Sequence, residues 1–163
     1  MLAVVGLAAA NLTGCVGRYT GGGSIDSING APQKATFGFV LDALDPDANG
    51  YPTNVTGQFQ FNDHAAGVSF HVNQFESADS WAPGPNFLNP EAVVFNYIGT
   101  YTSNQGTGTV QIGVGSHDQV SPLDGSLNSD AVLVDVLDGP YTGYYNFGLV
   151  QNGIIQFKPA KSN

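Results

Sequence analysis

Thr36-Phe37-Gly38-Phe39-Val40-Leu41 is read in steps of two. Phe37, Phe39 and Leu41 fall on one face, and Thr36, Gly38 and Val40 on the other. That is the period of a strand with one face on a core. The same alternation recurs downstream. Phe59 and Phe61 oppose Gln58, Gln60 and Asn62, and Val68, Phe70 and Val72 oppose Ser69, His71 and Asn73. Val93, Phe95, Tyr97 and Tyr101 align on one face, and Val110, Ile112 and Val114 alternate with Gln111 and Gly113. Residues 131–137 are apolar on both faces except Asp135, which predicts a central strand covered on both sides. Tyr145, Phe147 and Leu149 lead through Gln151-Asn152-Gly153 to Ile155 and Phe157, the pattern of a closing hairpin.

Turn clusters separate these runs: Asp45-Pro-Asp-Ala-Asn-Gly50, Asp63-His-Ala-Ala-Gly67, Pro83-Gly-Pro-Asn86, Ser103-Asn-Gln-Gly106 and Ser121-Pro-Leu-Asp-Gly125. The proline-rich stretch 78–90, which holds Trp81, has room for a short helical turn. Eight to nine strands at this spacing predict an all-β domain, an antiparallel β-sandwich or a flattened barrel. Composition agrees. Eleven of the 13 acids are Asp, a turn residue, while Glu and Lys, which fill helix surfaces, are scarce.

The net charge of −9 with four Lys and Arg excludes nucleic acid as a partner, because phosphate binding draws its affinity from cations. It also argues against electrostatic attachment to a membrane surface. With one cysteine in the chain, no intrachain disulfide forms.

That cysteine closes Leu12-Thr13-Gly14-Cys15, after the uncharged apolar stretch 2–10. Nine apolar residues are too few to span a bilayer but suit a signal-peptide core, although no basic segment stands before Leu2. The four residues resemble the bacterial lipobox, which implies cleavage before Cys15 and lipidation of its thiol. The expected organisation is a signal segment at 1–14, a glycine-rich tether at 15–23, one β-sandwich domain at 24–158 and a tail at 159–163. The tether expectation rests on the glycines of 16–23. The expected location is exported, anchored by lipid in the cell envelope or extracellular, with the membrane as a partner.

Gly21-Gly-Gly-Ser-Ile25, Lys34-Ala-Thr-Phe-Gly-Phe39, Gly57-Gln-Phe-Gln-Phe-Asn-Asp-His64 with Gly67 and Phe70-His71, and Asn152-Gly-Ile-Ile-Gln-Phe157 together resemble the post-COAP family, small β domains of secreted bacterial proteins. The resemblance covers about residues 20–158. Stretches 77–90 and 116–129 look inserted, and the cysteines many members carry are absent. It implies an extracellular accessory β domain and brings no catalytic residues.

Several residues are candidates for chemistry. Asp45, Asp47 and Asn49, followed by Gly50, place oxygens at alternate positions as the first half of a calcium loop does, with Asp42 or Asp63 to complete the shell. The acid expected at the twelfth position falls on Thr56, and ordinary turn chemistry explains the same residues. His64 and His71 would approach each other if their hairpin pairs, near Asp63, which would suit a transition metal or a hydrolase. Ser116-His117-Asp118 has the residue types of a triad, but neighbours in a strand point to opposite faces. Glu76 and Glu91 are the one Glu pair for glycosidase chemistry, with nothing to bring them together. Trp81 and Tyr144 are the aromatics whose positions suggest exposure and sugar stacking. The expected function is a non-catalytic, cell-surface interaction or structural module, not an enzyme. The alternative is a polysaccharide-binding module supported by calcium, and the expected partner is a glycan or a protein.

Overall fold

A computed structural model of the chain describes residues 17–46, 52–79, 93–116 and 130–160. Cys15, Asp47, Asn49, Trp81, Glu91, His117 and Asp118 lie outside them. The described residues form nine strands and no helix: β1 (Gly17–Asp26), β2 (Lys34–Pro46), β3 (Pro52–Asp63), β4 (Val68–Asp79), β5 (Val93–Ser103), β6 (Gly106–Ser116), β7 (Ala131–Val136), β8 (Tyr145–Leu149) and β9 (Ile154–Pro159). They make one antiparallel sheet in the order β8-β7-β6-β5-β4-β3-β2-β1-β9.

That order forces curvature. β8 and β9 end the sheet on opposite sides, yet four residues join them. Five Cα steps reach at most about 18 Å. A flat sheet of nine strands would be about 38 Å across. The sheet therefore curls so that its two ends approach each other, with β1 touching β8 and β6 touching β9. Of the two expected architectures, this is nearer the barrel: one curled, half-barrel sheet rather than a two-sheet sandwich.

The alternating apolar residues line the inside. Phe59, Phe61, Val72, Tyr97, Tyr101, Val110, Ile112 and Val114 are wholly or almost wholly buried. Burying each such side chain contributes about 1.5–3 kcal/mol. Aromatic rings pack in sequence around the wall: Tyr19 on Phe157 at 4.4 Å between centroids, Phe39 on Phe59 at 6.1 Å, Phe61 on Phe70 at 5.6 Å, and Phe70 on Tyr101 at 5.1 Å.

Four sequence expectations need correction. First, residues 17–23 are not a tether but most of β1, paired with β2 on one side and β9 on the other. Their glycines serve close approach: a Cβ at Gly17 would lie 2.3 Å from the Lys158 carbonyl oxygen, and one at Gly23 2.4 Å from that of Asn152. Second, β8 and β9 do not pair as a hairpin. Their connecting turn folds over the end of β1, where the Ser24 N–H donates to Asn152 O (3.1 Å) and the Gln151 N–H to Ser24 O (2.9 Å). Third, β8 faces the other way. Tyr144 and Asn146 point inward, while Tyr145 is 54% exposed and Phe147 is on the outer face. Fourth, β7 is not covered on both faces: Val132, Val134 and Val136 are buried, and Ala131, Leu133 and Asp135 half-buried.

Candidate functional site

Two polar regions stand out, one inside the barrel and one outside. The inner one centres on Asp63, which ends β3 with no exposed surface. Ser27 Oγ lies 2.8 and 2.9 Å from its two carboxylate oxygens, and the Tyr144 hydroxyl donates to one of them at 2.8 Å. The backbone N–H groups of Ala66 and Ile28 donate at 3.2 and 3.4 Å. Asn146 Nδ2 donates to Tyr144 Oη at 3.2 Å and to the Asp26 carbonyl at 3.0 Å. Burial by itself pushes the Asp63 carboxyl up, but donation from Ser27, Tyr144, Ala66 and Ile28 brings it below its ordinary value. The Tyr144 hydroxyl moves the opposite way. Burial raises it, and the adjacent Asp63 carboxylate adds to that.

This network is closed. Its donors and acceptors meet one another across segments that are distant in sequence, so it ties the turn after β1, the end of β3 and the start of β8 together. Such a network rigidifies a core when every member is satisfied. Tyr144 is therefore a core residue and not an exposed stacking platform: it is 7% exposed, with its ring edge-on to Phe61 at 5.8 Å.

The remaining sequence candidates separate. His71 is exposed on the outer face, and its ladder partner is Gln60. His64 sits in the turn beyond β3, while the Asp63 side chain points inside. Asp63, His64 and His71 do not converge. Asp63 also cannot complete a calcium shell with Asp45. Asp45 lies beside Asn54, whose Nδ2 donates to its carboxylate at 3.2 Å, and residues 54 and 63 are about 30 Å apart along β3. Asp42 faces Arg18 at 3.7 Å. Asp45 takes a positive φ of 54°, and its carbonyl accepts from Thr53 Oγ1 at 2.7 Å. Among the described residues no group of three His, Cys, Asp or Glu side chains gathers as a metal site. Glu76 is exposed and accepts from Thr100 Oγ1 at 3.2 Å.

The outer region is a groove of about 460 Å³ across β2, β3 and β4. Register places its residues. Gly38, Gln60 and His71 are direct partners across the three strands, so they share the outer face. Val40 and Gln58 form the next row. Asn73 flanks them from a bulge: Val72 pairs with Tyr101 and Gln74 with Thr100, which leaves Asn73 as the extra residue. Bulges bend a strand and re-aim side chains, and they recur beside functional sites. A second hollow shares Gln60 and His71 and extends to Ser69, Thr102 and Asn104. The first hollow presents the amides of Gln58, Gln60 and Asn73 and the His71 imidazole beside Phe39, Val40, Phe59 and Val72; the second adds the hydroxyls of Ser69, Thr102 and Ser103 beside Phe70, and neither is lined by a carboxylate, lysine or arginine.

The sequence contained Gln58, Gln60, His71 and Asn73 as a polar strand face, but their meeting with Gly38 depends on pairing register, which no local pattern specifies. No protein-family model, no curated protein and no solved structure matches this chain.

Proposed function

We propose that this chain is a non-catalytic interaction module of the cell envelope, exported and held there by a lipid on Cys15, that engages its partner through the outer face of β2–β4. One contrast supports the reading. The carboxylate inside the barrel is spent on structure, accepting from four groups, while the open polar groups gather outside in a groove that a partner can reach. The lipobox-like Leu12–Cys15 supplies the address, and two or more acyl chains would give stable anchoring where one gives only reversible binding. Of the calcium candidates, Asp45 lies at the far end of β3 from the Asp63 network.

Two experiments test this. In the native host, a clickable fatty acid labels the full-length protein, and Cys15→Ser abolishes the label; a mature protein with Met1 intact and a free Cys15 thiol refutes the anchor. Full-length protein in detergent co-sediments saturably with envelope fragments of that host, and Gly38→Tyr, which obstructs the groove, releases it. Absence of sedimentation refutes the interaction reading.

A further inference from the structure

The outer groove also carries information about what it takes, and this step rests on the interaction reading above. We infer that the groove over Gly38 is a binding site for a neutral, polyhydroxylated chain, that is, an uncharged glycan.

Gly38 is the first reason. Glycine in the interior of a strand weakens it and needs a cause, such as a bulge, a tight bend or close approach of another molecule. Gly38 has none within the fold. Its φ is not in the left-handed region, and a Cβ built on it meets nothing within 4 Å. Its ladder neighbour Gly22 is almost as open, with 3.4 Å to the nearest atom. The two make a bare strip beside the polar pair Gln60–His71. The fold does not require the space above Gly38 to be vacant, whereas a ligand lying there would.

The lining decides the ligand class by elimination. Gln58, Gln60, Asn73 and Thr102 present both donors and acceptors, and His71 presents one of each when neutral. An apolar ligand would cover those groups and leave them unpaired, which opposes binding. An anion finds no lysine or arginine in the groove, on a protein of net charge −9. A cation finds no carboxylate there. An extended peptide cannot add as a strand, because β2, β3 and β4 are paired on both sides. A sugar hydroxyl is one donor and two acceptors and matches side-chain amides and hydroxyls directly. The row from Gly22 through Gly38, Gln60 and His71 to Thr102 crosses five strands, about 19 Å. That length takes a chain of several units rather than a monosaccharide, with Val40 as the apolar contact for a ring face.

The test uses full-length protein in detergent and neutral hexasaccharides of β-1,4-glucan, α-1,4-glucan and α-mannan, with a hexagalacturonate as the anionic counterpart, read by calorimetry. At least one neutral chain binds and the anionic one does not. Gly38→Tyr weakens binding by about tenfold or more with no loss of melting temperature, since the new side chain enters open space. Gln60→Ala and His71→Ala each weaken it by about three- to tenfold, and Gln111→Ala on β6 leaves it unchanged. Neutral-chain binding that Gly38→Tyr does not affect places the site elsewhere and overturns the inference. If no neutral chain binds at millimolar concentration while envelope sedimentation persists, the ligand class falls and the interaction reading stands. Loss of that sedimentation after protease treatment of the envelope then identifies a protein partner. If sedimentation is also absent, both fall.

Discussion

Tyr144→Phe removes one oxygen and leaves the ring. The lost hydroxyl donates to the Asp63 carboxylate at 2.8 Å and accepts from Asn146 Nδ2 at 3.2 Å. A hydrogen bond to a charged group contributes about 1.5–3 kcal/mol. The ring keeps its edge-on packing against Phe61, and Asn146 keeps the Asp26 carbonyl, so little else changes. The expected loss is about 2 kcal/mol at pH 7, or roughly 4–8 °C in melting temperature for a domain of this size. The sign of the pH dependence follows from the carboxylate. Asp63 in the folded protein lies below its ordinary value of 3.8, so its contribution is full well above pH 4 and is lost as pH falls through the folded value. Removing a donor raises that folded value. The gap between wild type and Tyr144→Phe should therefore narrow as pH falls through the folded values of the two proteins, where a protonated carboxyl no longer needs the donor. Urea unfolding followed by circular dichroism at pH 7 and at steps down to about pH 2 measures both effects. A loss under about 0.5 kcal/mol at pH 7, or one that does not change with pH, would refute the account of Asp63 as an ionised, donor-stabilised residue.

Three further outcomes are expected. Ser27→Ala and Tyr144→Phe share Asp63 as their partner, so the double variant departs from additivity by about 0.5 kcal/mol or more in the same urea assay. Gly153→Ala costs at least about 2 kcal/mol, because Gly153 holds φ at 143° and its Cβ would lie 1.9 Å from the Gly22 carbonyl oxygen; Gly38→Val, a substitution into open space, stays within about 0.5 kcal/mol of wild type. Tyr101→Phe costs about 1–2 kcal/mol, since Tyr101 Oη donates to Asp138 O at 3.1 Å and accepts from the Tyr141 N–H at 3.3 Å; faster amide exchange at Tyr141 locates the damage.

The strands were legible wherever the interior is apolar. At Phe37, Phe39 and Leu41 the side-chain period maps directly onto burial, and the sheet agrees. The same rule failed at β8, where Tyr145 and Phe147 look like the inner face. The interior there is polar, and Tyr144 and Asn146 turn inward because their partners wait at Asp63 and Asp26, 81 and 120 residues away. No local pattern carries that. Asn152-Gly153 correctly marked a tight turn, but a turn does not say which strands pair across it. The glycines of 17–23 were ambiguous in composition, since a flexible linker and a crowded strand call for the same residue. The outer groove was hidden for a related reason: Gly38, Gln60 and His71 are 22 and 11 residues apart, and only register aligns them.

The placement of β9 beside β1 has a kinetic consequence. From β1 to β8 each ladder joins neighbours in the chain, so the sheet can zip up progressively, mostly through local turns. The last ladder joins Gly17 to Pro159 and closes the longest loop in the described fold. Closure over such a separation slows folding. Until the final strand docks, β1 presents an unpaired row of backbone groups, a template for another chain. The interval between emergence of β1 and arrival of residues 154–159 is thus the period when a nascent chain is most open to self-association, and the docking of these six residues ends it.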